Sequence, residues 1–119
     1  QIDVFASMAE ILGVPLQDGV AFDSHARAKE LLGEDQADRE YVVEQNLDNT
    51  LAIIKDGWKY FEPSDKRKYE TWTKTELGHS PKPQLYNLKE DPSEKNDVAD
   101  KYPEKVKELA ALLKEVVGN

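Results

Sequence analysis

Cysteine is absent from the 119-residue chain, which excludes disulfides and thiolate metal sites. The absence leaves the compartment open, because many exported proteins also lack cysteine. Histidine is nearly as scarce: His25 and His79 stand far apart, each in an expected loop and without a carboxylate four residues away. No HExxH, EF-hand or paired-aspartate run occurs, so no metal site is expected here. A lone loop histidine is ordinarily solvated, and that is the expectation for both. The six glycines are scattered beside expected turns, so no glycine-rich phosphate cradle is present. Nor is there a long apolar run, and neither a helical membrane span nor a signal peptide is expected within these residues.

Positive charge is also short in the first part of the chain. Residues 1–50 carry 11 acidic and 3 basic side chains, whereas residues 51–119 carry 13 of each. With a formal net charge of -8, the chain offers a poor surface to nucleic acid or an anionic membrane, and neither is an expected partner. The one basic cluster, Lys66-Arg67-Lys68, reads as a solvated loop, since counterion release from three charges is small.

What is present suits one modest globular domain. Apolar residues make up 39% of the chain and charged residues 34%, too apolar a mix for a disordered tail. The first residue is Gln1, and a helical pattern begins almost at once. An excised piece of a larger protein accounts for that, with a processed mature protein as the rival reading.

Residues 3–12 read as a helix, with Asp3 as N-cap, Gly13 at C′, and a broad apolar face of Val4, Phe5, Met8, Ile11 and Leu12. Pro15 prevents continuation, Asp18-Gly19 marks a turn, and residues 26–32 suit a short helix ended by Gly33. The period then changes. Residues 41–45, 50–56 and 58–62 are rich in β-branched and aromatic side chains and read as strands. Asp56-Gly57 suits a tight hairpin turn, and Asn46-Leu47-Asp48-Asn49 a longer one. Trp58 and Tyr60 share one face, Lys59 and Phe61 the other. Residues 63–83 read as a long connection, and 84–88 as a fourth short strand. Pro103 opens the clearest element, a helix whose stripe is Val106, Leu109, Ala110, Leu113, Val116 and Val117, with Gly118 placed to close it. The fold class is therefore α+β: a small antiparallel sheet of about four strands packed against a C-terminal helix.

Chemistry is harder to find. Ser7, Ser24, Ser64, Ser80 and Ser93 lack a nucleophile-elbow context, and the 24 acidic residues are too many to single out an acid–base pair. Trp58 and Tyr60 read as core. Tyr69 and Trp72 lie in the long connection and are less easily read as core, with an interface or pocket rim as the alternative role. The residues alone leave two possibilities, an accessory part of an enzyme or a stand-alone protein-interaction module.

Three stretches resemble the C-terminal region of sulfatases, within the alkaline-phosphatase-like superfamily. In residues 84–113 these are Leu85, Tyr86, Asn87 and Leu88, then Asp91, Pro92, Glu94 and Asn96, then a helix opened by Pro103; Val98 stands where the family often has leucine. Residues 50–61 resemble its Trp-containing hairpin, with Ile54 where arginine is frequent and Gly57 directly before Trp58. Residues 1–33, ending in Leu31-Leu32-Gly33, resemble the helix and loops that follow its catalytic sheet, with Ala6 in place of a common proline.

The resemblance implies a piece of a sulfuric ester hydrolase, bacterial and arylsulfatase-like, whose N-terminal catalytic domain is the missing partner. Residues 1–40 would be the connecting helix and loops beside that domain, and 41–119 the C-terminal α+β subdomain. Calcium and formylglycine are expected in the full-length parent. The formylglycine motif, Cys/Ser-x-Pro/Ala-x-Arg, does not occur in this chain, so no catalytic residue and no metal ligand is assigned. The resemblance also implies a periplasmic or extracellular parent. Gln45, Asn46 and Asn49 are the substrate-cleft candidates, with turn formation as their ordinary role. A related phosphodiesterase or phosphatase-like hydrolase is the alternative parent. The apolar face of the first helix, deprived of its neighbour, is expected to drive self-association. The chain by itself is predicted to hydrolyse no sulfate ester and to hold calcium no better than any acidic surface, since calcium wants six to eight converging oxygens. A calorimetric titration showing one tight calcium site would overturn this.

Overall fold

The computed structural model describes residues 2–34 and 39–118. The chain forms two compact units, residues 1–38 and 39–119.

In the first unit, helix α1 (Val4–Ile11) and the short α2 (Ala28–Leu31) each end in the same way. Gly13 and Gly33 adopt φ of 65° and 76°, and the following amides turn back: Val14 N–H donates to Ala9 and Glu34 N–H to Lys29. This is the Schellman closure, and the left-handed residue it demands explains why both helices stop at glycine. Asp3 occupies the N-cap position of α1 but does not cap the helix with its side chain; its Oδ1 accepts from the His25 amide at 2.8 Å. Ser7 is buried and ties the unit together, receiving the Arg27 amide at 2.8 Å and donating to the Asp3 carbonyl at 2.6 Å. The buried side of α1 is thus the small residues Ala6 and Ser7, while Val4, Phe5, Met8, Ile11 and Leu12 are exposed.

The second unit holds a four-stranded antiparallel sheet in the order β1 (Val42–Gln45), β2 (Leu51–Lys55), β3 (Trp58–Phe61), β6 (Gln84–Asn87). β2 and β3 are joined by a two-residue turn in which Asp56 and Gly57 have φ of 54° and 82°. Two successive left-handed residues define the turn whose twist matches paired strands, and Asp-Gly supplies it at low cost. A side chain at Gly57 would also press on Lys89, whose Cε lies 2.7 Å from the added carbon. The turn sets the register Lys55↔Trp58 and Ile53↔Tyr60, and register decides which side chains reach the core.

One sheet face is covered by helix α3 (Pro103–Gly118). Its Leu109 and Leu113 join Ile53, Tyr60 and Leu85 in a continuous buried cluster, with Trp58, Val98 and Val106 packed around it. Trp58 meets Tyr102 edge-on, ring centroids 5.0 Å apart. Gly118 is the last helical residue rather than a residue beyond the end that closes the helix. Val117, at the end of the expected stripe, is exposed on the rim of an open cavity of about 430 Å³ that it shares with Leu51, Tyr60 and Leu113.

Residues 63–83 differ from the expected bare connection. They contain a second hairpin, β4 (Tyr69–Glu70) with β5 (Thr75–Glu76), paired in the register Tyr69↔Glu76. Each strand is two residues long, too short for period-2 alternation to register in the sequence. After β6, the Asp97 carboxylate accepts from the amides of Leu85 and Ala99 at 3.1 and 2.9 Å, and the Val98 amide donates to the Leu85 carbonyl at 2.9 Å. The free edge of β6 is covered in this way before a 3-10 turn (Ala99–Lys101) leads into α3.

Truncating the helix stripe is therefore expected to unfold the second unit. A buried leucine cut to alanine costs about 2–5 kcal/mol, against a total of about 5–15 kcal/mol for a small domain. Leu109→Ala combined with Leu113→Ala should leave little cooperative melting at 37 °C by circular dichroism. A melt unchanged from the parent would refute the packing of helix on sheet.

Candidate functional site

The face of the sheet turned away from α3 floors a cleft of about 480 Å³. Its floor is Ala52, Lys59, Phe61 and Tyr86; its rims come from Glu44 to Asn46, from Glu76 to Gly78, and from Pro92 to Glu94. Strand alternation is the cause: the same register that sends Tyr60 and Leu85 into the core sends Lys59 and Tyr86 here, and they stand opposite each other across β3 and β6.

Lys59 is the centre of the cleft. Its ammonium contacts Glu44 and Glu94, each at 2.9 Å, and lies 4.8 Å from the centroid of the Phe61 ring. Burial pushes the Lys59 ammonium down, but hydrogen bonds to Glu44 and Glu94 outweigh it and leave the value above the ordinary 10.5. The contribution of the raised lysine value is thus present below the ordinary lysine value and lost as pH rises through the raised one, while acid that protonates the two carboxylates removes their pairing from the other side. Glu94, the glutamate of the Asp-Pro-x-Glu motif, reaches Lys59 from a left-handed turn with φ of 52°. Phe61 meets Tyr86 edge-on at 6.0 Å. The Tyr86 hydroxyl donates to Gln84 Oε1 at 2.9 Å, and Gln84 Nε2 donates in turn to the Gly78 carbonyl at 2.6 Å. Burial first, then the surrounding carboxylates, push the Tyr86 hydroxyl up, so it stays protonated.

The three candidates from the first turn meet different fates. Asn46 lines the cleft, yet its amide is committed inward. Oδ1 accepts from the amides of Asp48 and Thr50 at 3.1 and 2.9 Å, while Nδ2 donates to the Leu77 carbonyl at 2.8 Å and faces His79 Nε2 at 3.3 Å. Gln45 also lines the cleft, with its Nε2 donating to Asn49 Oδ1 at 3.1 Å. Asn49 adopts φ of 61° in the turn and is not part of the cleft lining.

His79 is not the solvated loop residue expected; only 4% of it is exposed. With both Asn46 protons spoken for, Nε2 accepts from Asn46. Nδ1 then carries the ring proton and donates to Thr50 Oγ1 at 3.2 Å, and Thr50 donates onward to Ser64 Oγ at 3.3 Å. The tautomer follows from this network. Asp48 Oδ2 lies 3.5 Å from Nε2, beyond direct hydrogen-bond distance, while the Asn46 amide is nearer at 3.3 Å. Hydrogen bonding from Arg67 holds the Asp48 carboxyl below the ordinary aspartate value. Arg67, at 2.6 Å from buried Glu70, ties the second hairpin to the first turn, and Lys66 donates to the Asp48 carbonyl of that turn, so two of the three cluster cations are structural. Sequence reasoning missed Lys59, Tyr86 and His79. For Lys59 the signal was there, a charge at an alternating position opposite the core face; for His79 there was none.

Electrostatically the cleft is acidic. Glu44, Glu76 and Glu94 line it against the single Lys59, which is already paired twice. Such a surface accepts hydroxyl and amide donors and repels anions. Among the described residues no group of three or more His, Asp or Glu is placed to hold a metal ion.

No protein-family model matches the chain. Among curated proteins it is 56% identical over 116 residues to an N-acetylgalactosamine-6-O-sulfatase of Bacteroides thetaiotaomicron. The match covers 98% of this chain and 23% of that protein. Among solved structures, one described under the metabolism of multiple glycosaminoglycans by Bacteroides thetaiotaomicron, and as a 6S-sulf protein, superposes with a TM-score of 0.88. It is 54% identical and covers 98% of this chain and 24% of its own. Ps i-CgsB, 15% identical with a TM-score of 0.63 over 95% of this chain and 23% of its own, shares the fold. The chain thus matches, at high identity, under a quarter of the length of a sulfatase-family enzyme.

Removing the Asn46 amide should loosen the whole rim. Asn46→Ala leaves buried Thr50 and His79 each short of a partner, a loss of about 1–3 kcal/mol. Thermal melting is expected to shift down accordingly, and the 15N shifts of the His79 ring should lose the single-tautomer pattern. An unchanged melt with an unchanged imidazole spectrum would show that the network is not needed.

Proposed function

We propose that this chain is the C-terminal part of a sulfatase, a non-catalytic subdomain that supports the catalytic domain and lines one side of its substrate cleft. The observation that carries this reading is the 56% identity to an N-acetylgalactosamine-6-O-sulfatase across 98% of the chain. The whole protein would hydrolyse the 6-O-sulfate ester of N-acetylgalactosamine, in a bacterial periplasm or outside the cell. Its calcium and formylglycine would belong to the portion outside this chain, since the Cys/Ser-x-Pro/Ala-x-Arg motif does not occur in these residues.

Within the cleft, Gln45 faces the substrate, with Asn49 orienting its amide and Asn46 holding the turn that carries both. Glu44 and Glu94 suit sugar hydroxyls rather than the sulfate group. Residues 1–40 would adjoin the catalytic domain. The exposed Val4, Phe5, Met8, Ile11 and Leu12 form the apolar area that such a neighbour would cover, and that area favours self-association when it is missing.

The test uses the whole protein with N-acetylgalactosamine 6-sulfate, the 4-sulfate isomer and the matching 6-phosphate. Sulfate release from the 6-sulfate alone is expected; phosphate release instead would favour a phosphatase-like parent and defeat the proposal. In the same enzyme Gln45→Ala should raise KM by about two- to tenfold, the worth of one neutral hydrogen bond. Unchanged kinetics would remove Gln45 from the substrate surface.

A further inference from the structure

Trp72 is not part of the cleft lining. It sits in the turn between β4 and β5 and is 91% exposed, the most exposed large apolar residue among those described. A tryptophan in water contributes nothing to a core, yet its backbone is fixed: the Trp72 amide donates at 3.2 Å to Oε1 of Glu70, whose other oxygen is held by Arg67 at 2.6 Å. Glu70 itself is buried. The hairpin is further anchored by buried Leu77, whose amide donates to the Lys68 carbonyl. An exposed indole on an anchored turn is a presented side chain.

Its neighbours are cationic. Lys74 follows two residues later in the same turn; Lys68 directly precedes β4, which opens with half-exposed Tyr69. Lys66, Lys68 and Lys74 have no carboxylate within ion-pair distance among the described residues, unlike Arg67. The basic cluster thus runs directly into the hairpin that carries the exposed indole, while the hairpin's own carboxylates are placed elsewhere, Glu70 buried against Arg67 and Glu76 on the cleft rim.

We propose that this hairpin is a second carbohydrate contact, in which Trp72 stacks on the apolar face of a pyranose ring while Lys74 and Lys68 take its sulfate groups. The inference rests on the sulfatase reading and extends it from the bond that is cut to a sulfated chain around it. Charge division supports it: the acidic cleft repels sulfate, and the unpaired cations stand on the hairpin. Few cations and one ring suit a sugar bearing one or two sulfates. A nucleic acid or an anionic bilayer would need a broader basic face than an acidic protein offers.

The experiment titrates the 119-residue chain with a sulfated oligosaccharide containing N-acetylgalactosamine 6-sulfate. Its chemically desulfated counterpart, inorganic sulfate, and anionic phospholipid vesicles serve as the other arms. Calorimetry gives affinity, and the two indole N–H signals in a proton–nitrogen spectrum report which tryptophan is touched. The sulfated chain alone should bind, moving the Trp72 signal and not that of Trp58. Trp72→Ala should weaken binding about tenfold or more, the equivalent of one stacking contact. Trp72→Phe should recover part of it, and Lys74→Ala should weaken it less while flattening its salt dependence. Both positions are at the surface, so each of the three variants is expected to keep the parent melt. Equal binding of the desulfated chain, binding of inorganic sulfate as tight as the oligosaccharide, binding of vesicles only, or an unaffected Trp72→Ala would each overturn the proposal. These outcomes are separable from the sulfatase reading, which stands or falls on sulfate release from the monosaccharide by the whole protein.

Discussion

The second unit is organised by the contact of two leucines on one helix with three side chains on the sheet. Leu109 and Leu113 bury themselves against Ile53, Tyr60 and Leu85, and every other position follows from that choice of face. A strand has two sides, so fixing Ile53, Tyr60 and Leu85 inward obliges Ala52, Lys59 and Tyr86 to face outward. The cleft is therefore a by-product of the core. The Asp56-Gly57 turn enforces the arrangement, because a slip of one residue would exchange Lys59 for Trp58 and place an ammonium beneath α3.

The sheet, its turn and the covering helix were legible in the sequence because each is written in a strong local signal. Alternation marked Trp58 to Phe61, Asp56-Gly57 marked a left-handed pair, and the stripe through Leu109 and Leu113 marked the buried side of α3. The β4–β5 hairpin was not legible. Its strands are two residues each and its stability comes from Arg67, Glu70 and Asp48, a tie made across the fold rather than along the chain. His79 was misjudged for the same reason. A histidine is placed by what surrounds it, and Thr50 and Asn46 are 29 and 33 positions away.

Of the cleft, the residue types were visible but not their division of labour. Gln45, Asn46 and Asn49 looked equivalent as polar turn formers. The structure assigns Asn46 to the interior network and leaves Gln45 at the cleft. The charge division between the two halves of this unit was equally hidden. Lys59 is neutralised by Glu44 and Glu94, whereas Lys68 and Lys74 are not, although the sequence presents all three as ordinary lysines.

The β4–β5 hairpin leaves the sheet after Phe61 and returns at Gln84, and those two residues are paired neighbours. The whole excursion is thus a closed detour between adjacent points of a finished ladder. Lengthening such a detour costs little, since closure entropy grows only with the logarithm of its length. Over evolutionary time its exposed turn, residues 71–74, is the part of the unit free to gain, lose or exchange residues, while the strands on either side are held to a fixed count. A lineage could change what that turn touches and inherit the remainder, including the ties of Leu77 and His79 to Asn46 and Thr50, untouched.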